Sequence, residues 1–477
     1  MAAEGDGKPA AKLSLVTMAA MVVGSMVGAG VFSLPRRFAQ ETGIAGAIVA
    51  WLIAGAGMLM LAFVFRQLAV RKPELDAGVF AYAKAGFGEY LGFFSAFGYW
   101  ASACVGNVFY WILIMSTLGA LFPGLGNGET VLAIVLSSGA VWLYFLLIRR
   151  GVREAAVINR IVTVAKLVPI VVFIGLCLFA LKPAVFAANF GGGDYGSLFN
   201  QVTATMLVTV FTFLGIEGAS TYSRHAKNRE DVGRATVLGF LGVLAIFASV
   251  TIVSYGILPN SEIAQLRQPS MAGVLEAAVG PWGSAFVSIG LIISVLGAYL
   301  AWTLMSAEVL FVAAQTKDMP RFLARSNAAG VPSAALVMTT ILIQVILILT
   351  LLSGDAFNFA LDLTAALSLI PYLFVATYGL KLGWTRETYV ENPANRGREL
   401  AVAALATGYT IFLLYAAGPK FILVSLIVYA PASILFVMAR REQGRRLFSP
   451  AELVILCVSV VGAVVGLLAL VTGRITL

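Results

Sequence analysis

The stretch VVGSMVGAGVFSLP, from Val22 to Pro35, lies within an apolar segment and carries three mid-segment glycines, Gly24, Gly28 and Gly30. Glycine in a helix interior costs about 1 kcal/mol relative to alanine, so this cluster predicts a local unwinding. Backbone that unwinds at membrane depth is tolerated only where it lines a cavity or is buried in protein. Gly24 and Gly28 also have the spacing of close helix packing, and that alternative stays open.

A second stretch, VFTFLGIEGAS from Val210 to Ser220, places Glu217 between Gly215 and Gly218. A carboxylate in the middle of a spanning segment is costly, which indicates a function, although pairing with a structural arginine is the alternative. This stretch lies five apolar segments after the first, and an odd offset inverts the orientation. Two interrupted segments at matching positions of two halves are typical of an inverted-repeat transporter.

The composition places both stretches in a membrane protein. Of the 477 residues, 60% are hydrophobic and 12% are charged, whereas a soluble domain carries about 25% charged residues. The apolar runs are continuous and about 20 residues long, as spanning helices require. We therefore predict an all-α polytopic membrane protein with about 13 transmembrane helices. The predicted segments run approximately 13–38, 43–66, 87–118, 130–149, 160–182, 202–223, 235–258, 281–314, 333–353, 355–380, 399–417, 421–440 and 450–472.

The distribution of basic residues predicts the orientation. Of the 32 lysines and arginines, 25 fall on the side of the N-terminus, six fall on the opposite side, and Lys166 lies within a segment. Because cytoplasmic loops are enriched in Lys and Arg, the N-terminus is expected inside and the C-terminus outside. The net charge of +9 is thus explained by topology and does not indicate nucleic-acid binding. Arg36 and Arg37 depart from the pattern, and the sequence offers no account of them.

Several function classes lack their sequence signals. All three cysteines lie in apolar runs and the single histidine is His225, so neither a disulfide framework nor a metal site is expected, and no cofactor is predicted. One histidine at a loop edge argues against a membrane-embedded enzyme. A phosphate-binding loop of the ATP-driven pumps is absent from the sequence, as is a selectivity-filter motif that would support a channel.

Four stretches carry a resemblance to a known family. They are VGSMVGAGVF (23–32), PELDAGVFAYAKAGFGEYLGFFSAFGYW (73–100), FTFLGIEGAS (211–220) and AKNREDVGRAT (226–236). With them the chain resembles the amino acid–polyamine–organocation superfamily. Two further stretches, GAYLAWTLMSAEVLFVAA (297–314) and YAAGPKFILVSLIVYAPASILFVMARREQ (415–443), together with the thirteenth segment, are similar to the basic amino acid/polyamine antiporters, especially the arginine–ornithine antiporters.

The resemblance implies a fold of two inverted five-helix repeats, LeuT-like, with helices 1 and 6 broken and three helices added. The corresponding division is a cytoplasmic tail (1–12), a first repeat (13–182), a second repeat (202–380) and additional helices (399–477). It implies sodium-independent, electroneutral exchange of arginine for ornithine by alternating access in a bacterial inner membrane, in support of arginine breakdown. A proton-coupled symporter, a lysine or polyamine exchanger and a nutrient sensor are the alternatives. Partners are the substrates and the bilayer, and the protein is expected to be a monomer or a homodimer.

The three functional groups of a basic amino acid suggest three sets of contacts. Backbone N–H groups at the first break, at Gly28, Ala29 and Gly30, can bind its carboxylate with help from the half-helix dipole. Many relatives carry serine at the position of Ala29, so a hydroxyl contact is missing here. Carbonyl groups at the second break can accept from its α-amino group. The residues expected to supply these carbonyls are Phe213, Leu214 and Ile216.

For the cationic side chain, the resemblance implies a contact with Trp302, through cation–π attraction, and with Asn107. Phe211 corresponds to a gating aromatic residue. A membrane-interface Trp, an Asn that bridges helices and an ordinary core Phe are the respective alternatives. Thr364 and Ser368 lie one turn apart and are expected to line the distal pocket.

Three residues are expected to act in gating or coupling. Tyr99 corresponds to an extracellular gate tyrosine, with an interface tyrosine as the alternative. Lys166 matches a lysine that replaces a sodium ion in some relatives, although a lysine whose side chain extends to the membrane surface is the simpler explanation. Glu217 either gates by hydrogen bonding across the broken helices or titrates and couples transport to protons.

Overall fold

The computed structural model describes residues 15–75, 78–151, 155–192, 195–217, 229–390 and 393–476, and within these ranges every regular element is helical. The predicted cytoplasmic tail therefore lies outside the described residues. The α-helices are α1 Leu15–Met26, α2 Leu34–Ala39, α3 Ile44–Arg71, α4 Val79–Phe87, α5 Glu89–Leu118, α6 Val131–Arg149, α7 Ala155–Phe179, α8 Pro183–Ala188, α9 Leu198–Thr212, α10 Arg229–Ser254, α11 Asn260–Ile263, α12 Ser270–Val279, α13 Pro281–Gln315, α14 Ser333–Leu349, α15 Ala356–Thr385, α16 Arg396–Glu442 and α17 Pro450–Val471.

Nine of the described helices are long and apolar enough to cross a membrane. This number is smaller than thirteen for two reasons. The predicted segments 399–417 and 421–440 both lie within α16, which consists of two helices separated by a kink at the non-helical Gly418 (φ 69°, ψ 172°), before Pro419. In the first and sixth segments, helices α1 and α9 have only 12 and 15 residues, which is short for a complete span, and of α7 in the fifth segment only Ala165–Phe179 is described in full. Each predicted segment nevertheless contains helix.

Hydrogen bonds join several connections at the end of the helices that the charge distribution predicts to face outside. The Ile44 N–H donates to the Asn189 carbonyl (3.0 Å), and the Tyr255 hydroxyl donates to the Thr42 carbonyl (2.8 Å). The Tyr195 hydroxyl donates to the Ala39 carbonyl (2.8 Å). We call the joined stretches 34–45, 189–192, 195–201 and 255–260 the outer cap. It fixes α2 to the connections around α8 and α11.

Ion pairs join the helices at the opposite, inner end. Lys84 of α4 pairs with Asp318, which follows α13 (2.7 Å). Arg440 near the end of α16 contacts both Glu89 at the start of α5 (3.0 Å) and Glu452 at the start of α17 (3.1 Å). These contacts anchor α16 and α17 to the helices that surround the centre of the molecule.

An aromatic cluster packs behind the two stretches singled out in the sequence. Phe38 of α2 stacks on Trp51 of α3, with ring centroids 5.1 Å apart. Trp51 contacts Phe213 edge-on at 6.0 Å, and Phe213 stacks on Phe240 of α10 at 5.1 Å. Aromatic pairs in these geometries stabilise a core beyond the burial of their area. The cluster therefore holds the ends of the first and sixth segments against the same neighbours.

Candidate functional site

The first apolar segment is interrupted at its glycines. Helix α1 ends at Met26, and a 3-10 turn over Ala29–Ser33 leads into α2. Between them Gly28 is extended, with φ −107° and ψ −161°. The N–H groups at the start of a new helical turn have no preceding turn to bond. Gly28, Ala29 and Gly30 are therefore placed where backbone donors can face a ligand.

The sixth segment is interrupted as well. Helix α9 ends at Thr212, and turns occupy 213–217, with the Ile216 N–H donating to the Phe213 carbonyl (3.2 Å). Gly215 has φ 100°, a backbone conformation that favours glycine. Gly218 and the rest of the stretch to residue 228 lie outside the described residues.

The two interruptions touch each other at Gly30. A Cβ atom on Gly30 would lie 2.8 Å from the ring of Phe211 and 3.1 Å from the Cγ2 methyl of Thr212. Both neighbours belong to the last turn of α9, and Phe211 itself packs edge-on against Phe109 (4.8 Å). Only a residue without a side chain fits this contact without moving them.

A cavity lies beside this contact. Its walls come from the first and sixth segments and from α5, α13 and α15, and none of the residues that line it carries a charge. Nine of the fourteen predicted site residues line it. They are Gly28, Ala29, Gly30, Tyr99, Phe211, Leu214, Trp302, Thr364 and Ser368.

The other five predicted residues lie near the cavity without lining it. Asn107 is buried and its Nδ2 donates to the Thr303 hydroxyl of α13 (3.2 Å), which is the helix-bridging alternative. Phe213 belongs to the aromatic cluster, and Ile216 is buried at 1% exposure. Glu217 lies behind the cavity wall. Lys166 is 7% exposed, and its Nζ donates to the carbonyl of Gly24 on α1.

The Lys166 contact decides between two expectations for that residue. A lysine whose ammonium extends to the membrane surface would be exposed at its tip. Here the ammonium of α7 instead binds a carbonyl one turn before the first interruption. It places a positive charge beside the broken segment.

Two tyrosines bind the same carboxylate beside the cavity. The hydroxyls of Tyr99 on α5 and Tyr372 on α15 both donate to the carboxylate of Glu217, the latter at 2.8 Å. The expectation of an extracellular gate at Tyr99 stays a prediction, although the predicted topology favours the inner side. Tyr99 is ten residues from the start of α5 at Glu89, where Arg440 and Arg445 bind, so it lies on the inner side under our own topology.

The sequence analysis missed Tyr372 and several residues of the cavity wall. On α5 the lining residues recur every three or four positions, which is the spacing of one helix face. That periodicity was the available signal for Ser102, whose hydroxyl lies 2.5 Å from that of Ser368. The lining residues that were not predicted are Met26, Val31, Ser102, Ala103, Gly106, Tyr110 and Thr212.

Comparisons with known proteins bear on this arrangement. A family model described as amino acid permease matches residues 13–448. The chain is 48% identical to an arginine/ornithine antiporter of Pseudomonas aeruginosa over 98% of both chains. It is 42% identical to a putative arginine/ornithine antiporter of Escherichia coli K12, over 90% of this chain and 92% of the relative. It is 39% identical to an L-lysine transport protein of Corynebacterium glutamicum, over 99% and 98%.

Substitution of Gly30 tests the contact between the interruptions. Gly30→Ala is expected to cost about 1–3 kcal/mol, because the new methyl overlaps the Phe211 ring in a packed interior. Gly28→Ala is the matched control, since its Cβ would meet only ordinary contacts, 3.8 Å from the Tyr110 hydroxyl. Thermal unfolding of the purified protein in detergent measures both. Equal midpoints for the two variants would contradict the close approach.

Proposed function

Because the chain belongs to the amino acid permease family, we propose that it is a secondary-active exchanger of cationic amino acids, importing arginine and exporting ornithine. The observation that carries the proposal is the cavity between two interrupted segments, closed at the inner side by Tyr99, Glu217 and Tyr372. A site enclosed between broken helices is what alternating access requires. The names of relatives that match nearly the whole chain support the substrate pair.

The substrate carboxylate is assigned to the backbone N–H groups of Gly28, Ala29 and Gly30. Their position at the start of a helical turn supports this, since helix N-termini bind anions. The α-amino group is assigned to the carbonyls of Phe213, Leu214 and Ile216, where α9 has ended. These residues lie in the turns that follow α9, and the Phe213 carbonyl, which accepts from the Ile216 N–H (3.2 Å), keeps a second lone pair for the substrate.

The cationic side chain is assigned to the region of Trp302, Thr364 and Ser368. All three line the cavity, and no carboxylate does. An indole face and hydroxyl oxygens attract a cation without neutralising it, so affinity stays moderate and release remains possible. Phe211 lies between the two ends of the substrate in this assignment. Asn107 does not line the cavity, and while its Nδ2 binds Thr303, its Oδ1 has no hydrogen-bond partner among the described residues and could accept from a cation.

Exchange of arginine for ornithine moves no net charge, because both are monocations at neutral pH. We assign Lys166 the place of a coupling cation. Its ammonium binds the Gly24 carbonyl beside the interruption, where a second cation would be repelled. This supports transport without sodium.

The membrane architecture proposed for this function has thirteen spanning segments in a LeuT-like arrangement. The first inverted repeat covers 13–182, the second covers 202–380, and 399–477 adds three helices after a cytoplasmic tail over 1–12. The N-terminus is inside and the C-terminus outside, in the inner membrane of a bacterium, as a monomer or homodimer. The charge distribution and the two interruptions five segments apart support this arrangement.

A lysine exchanger or symporter is the second candidate. The observation that favours it is the similarity to the L-lysine transport protein. Lysine has the same charge as ornithine and one more methylene, so a cavity wall without charge discriminates little between the two.

Transport into liposomes tests the exchange. Vesicles that contain ornithine are expected to take up labelled arginine, and vesicles that contain buffer alone are not. An imposed membrane potential should leave the rate unchanged. Uptake into empty vesicles driven by a pH gradient would instead establish a proton symporter, and preference for internal lysine would favour the second candidate.

The assignment of Trp302 predicts a graded loss of affinity. Trp302→Leu is expected to weaken arginine binding by about twofold to thirtyfold, the range that cation–π attraction supplies. Trp302→Phe keeps an aromatic face and should lose less. Titration of the purified variants with arginine measures the dissociation constants. Equal effects of leucine and phenylalanine would contradict the contact.

Glu217 is assigned to closure and not to binding, which predicts a separation of kinetic parameters. Glu217→Gln is expected to lower the maximal exchange rate by about tenfold, since hydrogen bonds to a charged acceptor are about twice as strong as neutral ones. The KM for arginine should change little because Glu217 does not line the cavity. Glu308→Gln, an exposed carboxylate of α13, is the matched control. A large rise in KM would place Glu217 in the binding site.

A further inference from the structure

We propose that Arg37 and Asp362 form a latch that holds the outer side of the cavity closed, a positioning role that rests on the proposed exchange. The Arg37 Nη2 atom lies 2.7 Å from the Asp362 Oδ1 atom. The two side chains are only 6% and 13% exposed. Arg37 is one of the two basic residues that the charge distribution did not explain, and Asp362 of α15 is paired, not solvated.

The pair joins two parts of the molecule that are otherwise organised separately. Arg37 belongs to α2 within the outer cap, which is held together by the hydrogen bonds of Thr42, Asn189 and Tyr255. Helix α15 packs chiefly against α5 and α16. A second, longer contact between cap and α15 runs from Asn358 Nδ2 to Gln40 Oε1 at 3.4 Å. The ion pair is thus the strong link between them.

The position of the link relates it to the cavity. Asp362 precedes the lining residue Thr364 by two positions, and Arg37 follows the lining residue Val31 by six. If α2 and the cap move away from α15, these two walls separate at their outer ends. The Glu217 closure lies on the opposite side of the cavity. The cavity is therefore closed on both sides, by the Arg37–Asp362 pair and by the Glu217 contacts. Opening one closure at a time gives alternating access.

A buried ion pair can act as a latch because its loss raises the free energy of the closed state and leaves that of the outward-open state nearly unchanged. Removing one partner leaves an uncompensated buried charge, whereas replacing both by apolar residues of similar volume keeps the packing. In the outward-open state each group gains water and does not need the other. The Arg37–Asp362 contact exists only in the closed state, so it shifts the equilibrium towards that state.

Accessibility of the cavity from each side tests the latch. The reporter is Ala103→Cys, a lining position, in a chain whose Cys104, Cys177 and Cys457 are replaced by alanine. A membrane-impermeant thiol reagent is added to right-side-out and to inside-out vesicles. Removing one partner (Arg37→Met) leaves Asp362 as an unpaired buried charge in the closed state, so it is expected to raise the modification rate from the outside by about tenfold, and not from the inside.

Two further variants complete the test. The matched control removes one partner of the inner ion pair, Lys84→Met, and should leave outside accessibility unchanged. Arg37→Lys keeps the charge but loses the planar fork, so it is expected to give a smaller increase and covers the case in which Arg37→Met does not fold. A folded variant is recognised by its unchanged elution in size-exclusion chromatography.

Unchanged outside accessibility in both Arg37 variants would overturn the latch and leave the pair with a structural role only. The measurement needs neither arginine nor ornithine. If liposome exchange fails while accessibility rises, the substrate assignment is wrong and the latch stands. If exchange succeeds while accessibility stays constant, the latch alone is wrong.

Discussion

Backbone N–H and C=O groups that leave a helix inside a membrane need partners, because the surrounding hydrocarbon supplies none. In this protein two segments break, and their broken ends meet where Gly30 contacts Phe211 and Thr212. The meeting point becomes a cavity, and the aromatic cluster around Trp51 and Phe213 holds both ends in place. The site therefore forms where the backbone groups at the two breaks are packed against each other and away from lipid.

The charges within the helices are arranged around the cavity and not in it. Lys166 binds the carbonyl of Gly24, and Glu217 accepts from two tyrosines on different helices. Arg37 and Asp362 pair across the outer side. Each of these four charges has a partner, which lowers the cost of its burial. The cavity wall itself offers backbone dipoles, hydroxyls and aromatic faces, which suits a ligand that must leave as readily as it enters.

The distribution of ion pairs separates two kinds of contact. At the inner end, pairs such as Lys84 with Asp318 and Arg440 with Glu89 join helices to neighbouring connections. The Arg37 pair and the Glu217 contacts instead join an interrupted segment to α15. Contacts of the second kind cross the surfaces at which the cavity can open, so their chemistry sets which side is accessible.

Composition and segment length by themselves determined the helical membrane class, the glycine clusters predicted the breaks near Gly28 and Gly215, and the resemblance of the quoted motifs indicated the family. These are local properties, because unwinding follows from glycine clusters and spanning follows from apolar length. Most of the cavity wall was also within reach through the resemblance, from Gly30 to Ser368. The two helices that meet at the non-helical Gly418 also agree with the separate segments 399–417 and 421–440 predicted from apolar length.

Only the tertiary structure decided which distant residues meet. Tyr372 and Tyr99 are far apart in the chain, and their common partner Glu217 is on a third segment, so no spacing in the sequence connects them. The same holds for Arg37 and Asp362, which a charge distribution can only mark as exceptions. For Asn107 the sequence could not choose between two roles, because an asparagine suits a ligand contact and a helix bridge equally. The choice depends on Thr303, a neighbour that folding alone brings near.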